Sequence, residues 1–253
     1  MANSSDGGEQ RPAPRAREGS RRGWILPAIG DWPGKARRSK WLVAVELAAI
    51  AAIFAADAHG LIFFSKVPYL LALAWASLAF RGVRWRDVGV RLTPAWRQWI
   101  AVGLAAGVAM EALELFVTQP ALVALTGAPP DLASALRLAA SWKLFVASLA
   151  LYWVVAALGE ELVFRGYLLN RLTDVLGTTR LGWAVALMAG SAIFGLHHLV
   201  QGPVGIVENT VDGAFLGGLY LATGRNLVAP IIAHGVTDSL DTILIFTHHY
   251  PGL

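Results

Sequence analysis

The chain has 253 residues, 56% of them hydrophobic and only 15% charged, with a mean hydropathy of +0.54; soluble domains carry about 25% charged residues, so a polytopic membrane protein is indicated. A net charge of +4 would suit nucleic acid. However, the Arg and Lys residues gather in an N-terminal tail and in short loops between apolar stretches, which is a topology pattern, and no nucleic-acid partner is expected. Cysteine is absent, which removes disulfides, thiolate metal ligands and cysteine nucleophiles together.

In chain order, residues 1–40 are rich in Arg, Gly, Ser and Pro without apolar periodicity, and are predicted to be a disordered basic cytoplasmic tail. Ser20-Arg21-Arg22-Gly23-Trp24 is faintly like a twin-arginine export signal, but Pro27, Asp31 and Pro33 break the apolar stretch behind it. Apolar stretches follow at 41–64, 67–80, 98–118, 142–158, 181–200, 204–222 and 227–247. They predict an all-α polytopic bundle of about seven transmembrane helices enclosing an intramembrane cavity. Residues 41–140 supply the N-terminal transmembrane helices, and 141–253 the candidate catalytic region. The 67–80 stretch is short enough to be tilted or re-entrant. Arg81, Arg84, Arg86, Arg91 and Arg97, then Arg165, Arg171 and Arg180, then Arg225 all fall on the side of the basic tail if the spans alternate. The expectation is a multi-pass cell-membrane protein with a cytoplasmic N-terminus. Gly-rich segments such as Gly213 to Gly218 permit close helix packing.

Three apolar segments carry ionisable groups at helical spacing, and charge beside hydrocarbon usually marks a working site. In Glu160-Glu161-Leu162-Val163-Phe164-Arg165, residues four apart share a helix face, so Glu161 is predicted to pair with Arg165. That pairing leaves Glu160 without a local partner and makes it the candidate general base. A solvated helix end at the interface would explain the same residues. Phe194 and His198 share a face, with Gly195 allowing close approach, whereas His197 points about 100° away. His234, Asp238 and Asp241 stack along one stripe of an apolar helix and must face a cavity or each other. A structural interhelical hydrogen-bond network is the alternative reading of that stripe.

Taken jointly, these motifs resemble those of the CPBP family, which includes type II CAAX prenyl endopeptidases and the Abi bacteriocin-immunity proteins. The family pattern is E-E-x-x-x-R, F-x-x-x-H, then H-x-x-x-N or H-x-x-x-D. This chain supplies Glu160, Glu161 and Arg165, then Phe194 and His198, then His234 and Asp238. Asp238 departs from the Asn of eukaryotic prenyl endopeptidases and matches the broader, mostly bacterial group, which weakens any transfer of prenylated-substrate specificity. The resemblance implies peptide-bond hydrolysis in a membrane-anchored peptide or protein. Glu160 and His198 would activate a water, and His234 would stabilise the oxyanion. Asp238 would orient His234, while Glu161, Arg165 and Phe194 would shape the site. No cofactor is favoured. Zinc is the alternative, on Glu160, His198 and His234, an acceptable two-histidine, one-carboxylate set, although no H-E-x-x-H occurs.

Simple alternation of spans sets a difficulty. It places Glu160 near one membrane face and His198 near the other, and ~17 helical residues separate two points by ~25 Å. Either the 142–172 region continues as one tilted helix, or a span boundary differs. Glu46, Asp57, Glu111, Glu114, Glu208 and Asp212 also lie in apolar stretches. Glu208 and Asp212, one turn apart, are placed to line the same cavity as His198. A catalytically silent membrane partner, an immunity protein of the same fold and a proton-coupled transporter remain as other classes, although a transporter predicts internal repeats and none is evident.

Overall fold

The structure, a computed structural model, describes residues 39–127, 132–138 and 140–251; the expected tail lies almost wholly outside them. All described residues belong to one compact unit, and all regular structure among them is helical. Helix α1 spans Lys40–Ala58, α2 Val67–Phe80, α3 Trp96–Thr126, α4 Ala133–Leu138, α5 Trp142–Leu176, α6 Arg180–His197, α7 Gly202–Ala222 and α8 Val228–Phe246. Apart from the short α4, these are seven rods, one for each apolar stretch.

Four of the rods (α1, α3, α5 and α8) are long and apolar enough to cross a membrane alone, and α6 with α7 forms a bent pair that passes the same test together. Only 17–44% of the apolar windows of those four is buried within the protein, so the remaining apolar surface is left for lipid. Trp41, Phe63, Phe116 and Trp142 are all more than half exposed, while Glu46, Arg81, Glu111, Glu160, Glu161 and Arg165 are buried. Charge inside and hydrocarbon outside is the distribution a bilayer imposes.

Several rods end where the sequence pattern does not. The first stops at Ala58 rather than 64, because Gly60 and Phe64 adopt left-handed backbone. The third runs on to Thr126 through Pro120. Pro clashes with the carbonyl four residues back, and the wider π-helical turn Glu114–Thr118 lies just before it. The fourth does not stop at 158. It continues to Leu176, π-helical through Tyr152–Glu160 and Leu162–Leu168. Its charged residues are paired within the bundle, so nothing forces the helix to end. Arg165, expected beyond the fourth span on the side of the basic tail, is therefore a buried mid-helix group. The second rod is 14 residues long, below spanning length.

The bundle is built from two tight helix pairs around α5, which packs against α1, α2, α6 and α8. In the α3–α8 pair, a Cβ on Gly103 would meet the Ala229 carbonyl at 2.8 Å, and one on Gly107 would meet the Ala233 carbonyl at 2.7 Å. This is the small-residue packing that lets membrane helices touch at their backbones. In the α6–α7 pair a Cβ on Gly213 would lie 3.0 Å from Ser191 Cα. Met110, Leu216 and Ala233 form a core where α3, α7 and α8 meet. At one end the arginine-rich loop after α2 is tied to the α7–α8 turn: Arg91 donates to the Gly224 carbonyl at 2.9 Å, Asn226 to the Arg91 carbonyl at 3.0 Å, and Tyr220 to the Val88 carbonyl at 2.9 Å. Arg225 lies there too, 5.6 Å from the Trp183 ring.

Candidate active site

Glu160 sits near the middle of α5, at the end of its first π-helical run, and is 6% exposed. Next to it Glu161 is fully buried, and its Oε1 accepts two bonds: one from Arg165 at 2.6 Å and one from His234 Nδ1 at 2.9 Å. The expected Glu161–Arg165 pair is therefore present. Arg165 also donates to the Gly213 carbonyl on α7 at 3.3 Å and lies 4.3 Å from the centre of the Phe194 ring. Phe194 in turn contacts the rings of Phe164, His198 and His234, with centroids 4.9, 5.0 and 6.1 Å away. It is the aromatic floor on which the charged groups of three helices meet.

Local sequence explains how each helix delivers its group. On α8, Gly235 lets the Trp153 indole of α5 pack against the backbone, and that indole donates to Ser239 at 3.0 Å. The two contacts fix the register that sets His234 against Glu161. Helix α6 ends at His197, where the His198 N–H turns back to the Gly195 carbonyl at 2.9 Å. Gly202, with φ of +76°, then starts α7, and the two helices meet at a bend of 63°. The chain thus turns round close to His198 instead of completing a straight span.

That turn removes the separation expected from simple alternation. Ligating atoms of Glu160, His197 and His198 all lie within 4.8 Å of one another. The continuous α5 expected as one of two solutions is what the structure contains, joined to a changed boundary at α6. Extrapolating an ideal helix to His198 misjudged His197. Because α6 stops there, the His197 ring turns inward, 4% exposed, and its Nε2 donates to Glu160 Oε1 at 3.2 Å. Glu160 has no partner on its own helix, as local spacing indicated; its partner comes from another helix. The adjacent His-His pair at a helix end was the available signal. His198 Nδ1 donates to the Phe194 carbonyl at 3.1 Å, which leaves Nε2 as the acceptor in a neutral ring.

A second correction concerns His234. Its Nδ1 is held by Glu161, whereas Asp238 Oδ2 lies 3.7 Å from Nε2, beyond hydrogen-bond range. Glu161, rather than Asp238, orients the ring. The tight ligand-type cluster also differs from the expected zinc set, since it contains His197 in place of His234.

Glu160, Phe194, His198, His234 and Asp238 all line one cavity of about 370 Å³, together with Glu208, Asp212 and Asp241. The expected place of Glu208 and Asp212 beside His198 is thus occupied. Asp57 pairs instead with Lys66 at 2.6 Å, and Glu46 with Arg81 and Ser77, both away from this wall.

Comparison with protein-family models matches residues 142–240 to the type II CAAX prenyl endopeptidase Rce1-like family. No curated protein and no solved structure matches the chain. The matched segment holds all three motifs and most of the groups that line the cavity. With buried charge, apolar rods and this match together, the protein is a multi-pass membrane protein whose residues 142–240 are similar to the type II CAAX prenyl endopeptidase Rce1-like family.

Proposed function

We propose that the protein is an intramembrane endopeptidase that hydrolyses a peptide bond in a membrane-anchored peptide or protein. The observation that carries this reading is the convergence of Glu160, His198 and His234 from three helices on one cavity wall. Glu160 is the general base, held by the His197 Nε2–H, and takes a proton from a water that His198 Nε2 also accepts from. The water oxygen bonds to the carbonyl carbon, and His234 Nε2–H donates to the oxyanion as it forms. Its ring cannot swing away, because Nδ1 is tied to Glu161. Glu160 then passes the proton to the leaving nitrogen as the carbon–nitrogen bond breaks. Asp238 stands beside His234 Nε2 and balances its charge.

Zinc on Glu160, His197 and His198 would supply Lewis-acid activation of the water. It fits only if His197 Nε2 gives up Glu160, so the metal-free route is the one proposed. Glu160→Gln should lower cleavage of a membrane-tethered peptide library in lipid nanodiscs by roughly 10²–10⁴-fold, the range for a lost general base. Full activity in that variant would remove Glu160 from this role, and an inert wild-type protein with the same library would favour a silent partner of the same fold.

A further inference from the structure

The cavity carries more acid than the proposed chemistry uses. Glu114 from α3, Glu208 and Asp212 from α7, and Asp241 from α8 line it in addition to Glu160 and Asp238, and among the described residues neither Lys nor Arg does. Arg165 lies behind Phe194 and is taken up by Glu161 and the Gly213 carbonyl. Glu208 is 7% exposed, and its shielded Oε1 has no hydrogen-bond partner; Asp241 Oδ1 is also shielded and unpartnered. Glu208 and Asp212 are one turn apart on α7, so both reach the cavity from one helix face. Glu114 is held in place by Gln119, which donates to it at 3.1 Å and also to the Tyr250 hydroxyl. A buried carboxylate oxygen without a partner is costly, and the two residues that carry these oxygens line a space open to a ligand. Leu132 and Ala156, both half-buried, line the same cavity, giving apolar surface beside the acidic groups.

We propose that this half of the cavity is a subsite for a cationic side chain, lysine or arginine, of the peptide that is cleaved. The reading rests on the proposed peptidase function and adds its substrate class. A long side chain with an apolar stem and a charged head matches both: the stem packs on Leu132 and Ala156 while the head donates to Glu208, Asp212 and Asp241. A neutral residue there leaves the carboxylates unpaired, so discrimination against it is built in.

The test uses membrane-tethered peptide libraries in which one position at a time is lysine, norleucine, arginine or citrulline, offered to the full chain in nanodiscs. At one position fixed relative to the cleaved bond, lysine and arginine should be preferred over norleucine and citrulline by at least ~10-fold. The ratio should fall toward one in Glu208→Gln/Asp212→Asn and in Asp241→Asn. A fold defect would lower both peptides alike and leave the ratio intact, so a ratio that survives in both variants overturns the proposal. Capture of the same libraries by Glu160→Gln protein separates binding from chemistry. If the wild type cleaves nothing while capture still favours cationic peptides, the subsite stands and the peptidase reading falls. If neither readout shows the preference, the subsite is wrong whether or not cleavage occurs. Glu111, Glu114 and Asp241 bring their carboxylate oxygens within 4.8 Å of one another. A preference that requires added calcium or magnesium would therefore assign these groups to a metal and overturn the proposal.

Discussion

Arg165→Met is the most informative single change away from the chemistry, because it breaks a buried ion pair whose energetics do not depend on any assigned activity. Glu161 is fully buried and the Arg165 side chain is 3% exposed, at an N–O distance of 2.6 Å. Removing Arg165 leaves the buried Glu161 carboxylate with His234 as its one remaining partner and costs up to about 3–5 kcal/mol, the range for a broken buried pair. Loss of the guanidinium from the Phe194 face, 4.3 Å away, adds up to ~2 kcal/mol. The double variant Glu161→Gln/Arg165→Met removes the pair together, its amide oxygen still accepts the His234 Nδ1–H, and Asp238 stays beside His234 Nε2. It should lose the aromatic contribution but regain roughly 3 kcal/mol relative to Arg165→Met, the upper part of the usual range for neighbouring residues. Reversible unfolding of the wild type, both single variants and the double variant in mixed micelles measures this coupling. If Arg165→Met is no less stable than the double variant, the carboxylate is not relying on Arg165, and the account of how His234 is held is wrong.

His197→Ala should lower the turnover number about 10²-fold with KM unchanged, the effect of misplacing a catalytic group by about 1 Å; His197→Gln, which keeps a donor for Glu160, should recover most of it in the same steady-state assay, whereas a purely structural role predicts no such rescue. Gly107→Val would push a methyl-bearing carbon into Val236 Cβ at 2.6 Å and the Ala233 carbonyl at 2.7 Å, and should destabilise the bundle by about 1–3 kcal/mol in micelle unfolding. Gly218→Ala is its control, since nothing lies within 4 Å of that Cβ, and it should stay within ~0.5 kcal/mol of wild type. Peptide cleavage should survive exhaustive chelation, with no stoichiometric zinc by elemental analysis; loss on chelation and recovery with zinc would favour the metal route through Glu160, His197 and His198.

The all-helical membrane bundle was legible because hydropathy responds to length and composition, which these rods satisfy whatever they pack against. The pairing of Glu161 with Arg165 was legible for the same local reason, four residues on one helix. What escaped was non-local. No spacing rule reveals that α6 stops at His197, since the bend depends on Gly202 and on where α7 returns. Once the helix ended, its last ring turned to Glu160 rather than away from it. Likewise, Asp238 lies one turn from His234 and was its natural partner by sequence. The stronger contact came from Glu161, which is 73 residues away and fixed by the Trp153–Gly235 packing. The length of α5 was hidden because charged residues normally end a membrane span, and only the other helices show that these are neutralised.

At ~1.5 Å per residue, the 35-residue α5 is roughly 50 Å long, against ~30 Å of hydrocarbon. Such a rod either leans or carries its polar end, Leu169–Leu176, past the hydrocarbon, and any lean grows in thinner lipid. Because Glu160 lies close to the rod's midpoint, it sits near the fulcrum of that seesaw: the ends sweep widely while its carboxylate barely changes depth. On the proposed peptidase function, bilayer thickness would then regulate which part of a tethered chain arrives at Glu160, and leave the site itself undisturbed.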